Sequence, residues 1–168
     1  MIESKFDSLL VAVENCFPSV REVLNPPATE AELTALADLY SAPLPQELVA
    51  LLRVNNGQSK PTPYALGGFS LYSAKSIERM RTTNNFNNSN PHWIPIGYAE
   101  PFELIIESNP DSVTNRHVFV YDAETGPAPP IATCLSQYME FTTEKIIAGE
   151  YRKLLEIMMI HHDEIIAG

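Results

Sequence analysis

Residues 43–57 read PLPQELVALLRVNNG and contain a short helix with both of its ends. A proline suits the first helical position, because its missing N–H would have no partner there and its ring already fixes a helical φ. Leu44 and Pro45 therefore predict a helix start. Three leucines then form one apolar face at i, i+3 and i+4 spacing: Leu48, Leu51 and Leu52. We expect the closing Asn55, Asn56 and Gly57 to stop the helix in left-handed conformations.

The chain before this segment also has helical signals. Apolar residues between Ile2 and Phe17 recur at helical spacing and predict an amphipathic first helix that ends at Pro18. Thr29 and Glu32 have the Thr-x-x-Glu spacing of a capping box, in which two side chains satisfy two free backbone amides at a helix start. The first third of the chain is therefore predicted to be helical.

The period of the apolar residues changes in the second half. Residues 93–97, 102–107 and 117–121 each predict a strand, and the proline inside the first of them favours an edge or a bulge. Glu103 and Glu107 share one strand face, which we interpret as the solvated one. Ser136 is predicted to cap a closing helix. Short connections between the strands favour an antiparallel sheet, and we expect one α+β domain over residues 1–168.

Composition limits the class of protein. Hydrophobic residues make up 45% of the chain, which favours a globular domain. No apolar run reaches the roughly 18 residues of a membrane-spanning helix, and the start of the chain lacks the pattern of a signal peptide. Cys16 and Cys134 stand far apart without metal-binding spacing, so we expect free thiols in a cytoplasmic protein.

The net charge of -10 is unevenly distributed. Residues 98–144 hold eight acids against Arg116 alone, a balance of -7, whereas residues 51–97 hold five basic residues against Glu78, a balance of +4. An acidic chain repels nucleic acid, because binding to nucleic acid depends on neutralising phosphates. The same charge attracts a basic protein partner. The alternative is that the acidity serves only solubility.

Several segments together resemble one known family. Residues 28–33 and 44–57 resemble the N-terminal signature of the SUKH superfamily, the Smi/Knr-type domain. Residues 93–97, WIPIG, look like its tryptophan strand, and residues 121–122 and 131–141 resemble its closing strand and helix. The resemblance covers about residues 28–151. It implies an α+β fold with a bent, mainly antiparallel sheet flanked by N-terminal and C-terminal helices.

The resemblance also implies a function. Bacterial members of the superfamily are typically immunity proteins that bind a secreted toxin made beside them, whereas eukaryotic relatives are regulatory or scaffolding proteins. The chain lacks the long polar tails of the fungal regulators, which favours a bacterial member. We expect a protein that binds a toxin, possibly a nuclease. The alternative is a regulatory or scaffolding interaction domain without a toxin partner.

Catalytic and metal motifs are weak in this sequence. His161 and Glu164 could share a helix face, but no third ligand accompanies them and a solvated helix end is the favoured interpretation. The chain has no Gly-x-Ser-x-Gly elbow and no phosphate-binding loop. We therefore expect neither an enzyme nor a bound cofactor or metal.

The acidic second half supplies the predicted binding site. Six acids form the expected contact surface for a basic toxin cleft: Glu100, Glu103, Glu107, Asp111, Asp122 and Glu124. Trp93 is more simply interpreted as a core residue than as a partner contact. A monomer is the default expectation, although the apolar helix around Met158 and Met159 leaves a dimer open.

Overall fold

The computed structural model describes residues 1–83 and 90–153. The helices before the sheet are α1 (Ile2–Glu14), a 3-10 turn (Val20–Val23), α2 (Glu30–Ala37) and α3 (Gln46–Val54). A short strand β1 (Ser70–Leu71) precedes α4 (Ala74–Thr83). The remaining elements are β2 (Trp93–Ala99), β3 (Phe102–Glu107), β4 (Val118–Asp122), β5 (Gly126–Pro127) and α5 (Leu135–Ile147).

The five strands form one open antiparallel sheet in the order β1-β2-β3-β4-β5. Each strand pairs with its neighbours along the chain, and helices precede and follow the sheet. The predicted α+β class is therefore confirmed. The register between β2 and β3 shifts between Pro95 and Gly97. Of the two alternatives predicted from Pro95, an edge or a bulge, the structure has the bulge, and β2 lies between β1 and β3.

One face of the sheet and the helices enclose the main core. The buried sheet residues on this inner face are Ile94, Ile96, Leu104, Ile106, Val118 and Val120. They belong to the same cluster as Leu9 of α1 and Leu48 of α3. Within the core, the hydroxyl of Tyr138 in α5 donates a hydrogen bond of 2.7 Å to the carbonyl of Leu66. The inner face of the sheet therefore forms part of the main core.

The capping box at α2 is confirmed. The backbone N–H of Glu32 donates to the Thr29 hydroxyl oxygen at 3.2 Å, and the Glu32 carboxylate accepts from the Thr29 N–H at 2.8 Å. Two amides at the helix start are satisfied by these bonds.

The end of α3 differs from the prediction. Asn55 is extended, with φ -151° and ψ 121°, and Asn56 is not left-handed either, so Gly57, with φ 78°, is the left-handed residue of the three. The two asparagines instead bind distant segments. Asn55 donates a side-chain hydrogen bond of 2.7 Å to the carbonyl of Asn25. The Asn56 side-chain oxygen accepts one of 2.8 Å from the backbone N–H of Ala74, at the start of α4.

The start of α5 also differs. Cys134 is the N-cap residue and provides no side-chain hydrogen bond, so the predicted cap by Ser136 is wrong. The α3 residue Glu47 supplies the acceptors, because its carboxylate receives the Ser136 N–H at 3.1 Å and the Ser136 hydroxyl at 2.6 Å. A carboxylate at a helix N-terminus is also favoured by the helix dipole.

Some sequence predictions concern residues outside the described part of the chain. These are the Asn-rich loop at 84–89, the apolar helix around Met158 and Met159, and the possible metal pair His161 and Glu164. Within residues 1–83 and 90–153, no helix is both long enough and apolar enough to cross a membrane. Cys16 and Cys134 are free thiols, as predicted.

Replacing Gly57 by alanine is expected to destabilise the fold more than the same change at Gly126. Both glycines have positive φ, 78° and 89°, but a Cβ on Gly57 would lie 2.3 Å from the Ser73 nitrogen, whereas nothing lies within 4 Å of a Cβ on Gly126. Gly126→Ala should lower the free energy of unfolding by about 1 kcal/mol from backbone strain, and Gly57→Ala by about 3 kcal/mol or more. Urea unfolding measures both values. Equal losses would contradict the close approach at Gly57.

Candidate partner-binding surface

The face of the sheet that points away from the main core carries a separate group of side chains. We call it the outer face and define it by Trp93, Tyr98, Glu103, Ile105, Glu107, Phe119 and Tyr121. Cross-strand pairing places these residues on one side, because Glu103 lies opposite both Tyr98 and Tyr121, and Ile105 lies opposite Phe119. The outer face therefore combines aromatic rings with two of the predicted acids.

Aromatic residues pack against each other on the outer face. The ring centroids of Trp93 and Phe119 are 5.3 Å apart at an interplanar angle of 69°, and those of Trp93 and Tyr121 are 5.5 Å apart at 59°. Both are tilted arrangements that aromatic pairs favour. Ile105 and Phe119 are buried, whereas Trp93 and Tyr121 are partly exposed. Trp93 thus belongs to this small cluster and not to the main core that the sequence suggested.

Glu103 lies in a tyrosine-rich environment. One carboxylate oxygen accepts a hydrogen bond of 3.1 Å from the Tyr72 hydroxyl, and the other is buried without a hydrogen-bond partner. The Tyr72 and Tyr98 rings stack 6.3 Å apart beside it. Burial raises the pKa of the Glu103 carboxyl to about 7, and the bond from Tyr72 opposes this rise only in part. The interpretation of Glu103 as a solvated acid was therefore wrong.

Glu107 is also not solvated, since only 9% of the residue is exposed. Its carboxylate accepts a hydrogen bond from the Thr114 hydroxyl, which belongs to the loop between β3 and β4. Glu107 borders a surface pocket of about 190 Å³ that Trp93 and Phe119 also line. A charged acceptor beside aromatic rings in a small pocket suits a polar or basic side chain of a partner.

The other four predicted acids lie at the two ends of β3. Glu100 and Glu124 are exposed in the turns at one end, where the buried Asp122 accepts the Glu124 N–H at 2.8 Å. Asp111 is exposed in the loop at the opposite end. Glu103 and Glu107 are four residue steps apart along β3, a distance of about 13 Å. Glu100, Glu103, Asp122 and Glu124 thus lie toward one end of β3, and Glu107 and Asp111 lie toward the other. Their role in binding stays a prediction.

Sequence analysis missed a cleft of about 550 Å³ beside the inner face. Its walls include the Pro43-Leu44-Pro45 segment, Glu47 and the rim residue Arg116. The cleft forms where the starts of α3 and α5 meet the end of β3, three segments that are remote in the chain. The one sequence signal that could have suggested it is Arg116, which is the sole basic residue among residues 98–144.

The described residues offer no arranged metal site. In the ranges 1–83 and 90–153, no group of three or more histidine, cysteine, aspartate or glutamate side chains is placed to hold a metal ion.

Glu103 is expected to make stability fall as pH rises. In the unfolded chain the Glu103 carboxyl has its ordinary pKa of 4.5, whereas in the folded protein its pKa is about 7. Between these two pH values the folded protein therefore holds a proton that the unfolded chain has released. The free energy of unfolding should decrease through this range by about 3 kcal/mol from this group. Glu103→Gln should remove that part of the decrease, and Glu100→Gln, at an exposed position, should leave it. Chemical denaturation at several pH values measures how the free energy of unfolding changes with pH. The same pH dependence in wild type and Glu103→Gln would contradict the raised pKa of Glu103.

One family model matches most of the chain. The family model described as SMI1 / KNR4 family (SUKH-1) matches residues 27–140, about two thirds of the chain. The match begins just before α2, includes α3 and the whole sheet, and ends within α5. No curated protein matches the chain. The chain belongs to the SMI1 / KNR4 family (SUKH-1).

Proposed function

We propose that this chain is an immunity protein, which binds a toxin domain made by the same cell and blocks its active cleft. The family is generally non-catalytic and acts through protein–protein interaction, which supports a binding function of this kind. The observation that carries the proposal is the outer face, where partly exposed Trp93 and Tyr121 lie between two groups of acids. Aromatic residues with a polar rim are typical of the centre of a protein interface.

The charge of the second half indicates the chemistry of the partner. Residues 98–144 have a balance of -7, from eight acids against Arg116. A toxin that cleaves nucleic acid needs a basic cleft to hold phosphates, and such a cleft is complementary to this charge. The proposed partner is therefore a basic toxin domain, with a nuclease as the favoured type, and the binding takes place in the cytoplasm.

In the proposed mechanism, charge determines the association rate and aromatic packing determines the lifetime of the complex. The exposed acids Glu100, Asp111 and Glu124 attract the toxin over a distance and increase the association rate. The aromatic side chains of the outer face then contact the rim of the cleft and determine how long the complex lasts. The chain acts as a stoichiometric monomer that occludes the cleft and takes part in no reaction.

Co-expression tests this function. The domain encoded directly upstream of this chain's gene is expressed in a bacterial host, with and without the chain. We expect growth arrest from the upstream domain alone and normal growth when both are present. If the upstream domain is harmless, or if the chain neither binds it nor restores growth, the immunity function is wrong and a regulatory or scaffolding role replaces it.

Charge reversal tests the surface. The triple variant Glu100→Lys, Asp111→Lys, Glu124→Lys should slow association with the toxin about tenfold at low salt and weaken its salt dependence. A matched control reverses three exposed acids on the helical side of the molecule: Glu22→Lys, Asp38→Lys and Glu144→Lys. Stopped-flow or surface-binding kinetics measures both. The same slowing in the two variants would mean that net charge alone matters and that the outer face is not the contact.

A further inference from the structure

The cleft of about 550 Å³ has the dimensions and lining of a binding site. Its volume lies within the range of about 300–1,000 Å³ that is usual for ligand pockets. The accessible apolar part of its wall comes from Pro43, Pro45 and Pro110, which are exposed or partly exposed. Leu44, Ile106 and Leu135 also line the cleft but are buried in the core behind it. Polar groups at the rim come from the loop between β3 and β4, namely Ser108, Asn115 and Arg116.

Arg116 is unusual in three respects. It is the one basic residue in residues 98–144, it is exposed, and no ion pair of the described residues includes it. Its φ of 72° makes it the one non-glycine residue with positive φ in the described part of the chain. Its backbone N–H closes the loop by donating to the Glu107 carbonyl at 2.8 Å. Glycine would make the same backbone bond with less strain, so the guanidinium is what distinguishes arginine here.

Among the described residues, the one acid that lines the cleft, Glu47, is already engaged. Both Glu47 oxygens receive hydrogen bonds from Ser136 at the start of α5. The helix dipole of α5 offsets part of this negative charge. The Arg116 guanidinium, with its several donors, is therefore left without an anionic partner among the described residues that line the cleft.

We infer that this cleft binds an acidic side chain, aspartate or glutamate, of a protein partner, and that Arg116 is the residue that recognises the carboxylate. A guanidinium binds a carboxylate through two parallel N–H···O bonds, which gives both affinity and orientation. The apolar wall then contacts the aliphatic part of the peptide on either side of that residue. The inference does not rest on the immunity function, because it concerns the opposite charge, although the loop that lines the cleft also carries Asp111 of the predicted acidic surface.

The test uses the isotope-labelled full chain and a short probe peptide, acetyl-Ala-Leu-Glu-Leu-Ala-amide, in an NMR titration. We expect the backbone signals of Glu47, Arg116 and Leu135 to shift in a saturable manner, and the matched peptide with glutamine in place of glutamate to bind at least about tenfold more weakly. Shifts confined to other regions, or equal binding of the two peptides, would overturn the site. Sodium acetate is a third probe, and binding of acetate as tight as that of the peptide would overturn the assignment to a protein side chain.

Two variants separate binding from folding. Arg116→Gly removes the guanidinium at a backbone position that glycine tolerates better, so its melting temperature should equal or exceed that of wild type while peptide binding falls at least about tenfold. Arg116→Lys keeps the charge without the two-pronged geometry and should retain part of the binding. Unchanged peptide binding in a folded Arg116→Gly variant would overturn the inference. Neither result bears on toxin binding, which the co-expression experiment measures separately.

Discussion

Asn56 joins segments of the chain that lie far apart in sequence, and the arrangement of the helices depends on it. Its N–H donates to the Pro26 carbonyl at 3.0 Å, and its own carbonyl accepts from the Asn25 side chain at 2.9 Å. Its side-chain oxygen receives the Ala74 N–H, so Asn56, two residues after the end of α3, also satisfies the first amide of α4. These groups are half-buried. A polar group that loses its hydrogen-bond partner in such a place lowers the free energy of unfolding by about 1–3 kcal/mol. The corner therefore fixes the connector before α2, the end of α3 and the start of α4 at once.

Local signals explain how much of the fold the sequence could predict. The capping box of α2 was predictable because Thr29 and Glu32 are three residues apart and need no other partner. The start and the apolar face of α3, the strands β2 to β4 and the bulge at Pro95 were predictable for the same reason. The conformations of Asn55 and Asn56 were not, since their partners Asn25 and Ala74 lie 18 to 30 residues away. The cap of α5 was missed because Glu47 lies 89 residues from Ser136.

The environment of the outer-face residues could not be predicted from local sequence signals either. Alternation along β3 places Glu103 and Glu107 on one face correctly, but it does not tell whether that face is solvated. Their burial depends on Tyr72 and Thr114, which come from other elements. A sequence pattern can thus identify the members of a surface and still misjudge their environment. The cleft beside Arg116 depends on three remote segments and leaves only the isolated basic residue as a sequence signal.

Different parts of the fold provide stability and accessible surface. The helices and the inner face of the sheet form the core, and the Asn56 corner holds them in place, while the outer face and the cleft are available for contacts. Hydrogen exchange of the Asn56→Ala variant tests this account most directly. We predict a loss of about 2 kcal/mol in the free energy of unfolding, with faster exchange of the amides of Asn25 and Ala28 and of residues 74–77 together. A loss below about 0.5 kcal/mol, or a change confined to the first turn of α4, would contradict the central place of this corner.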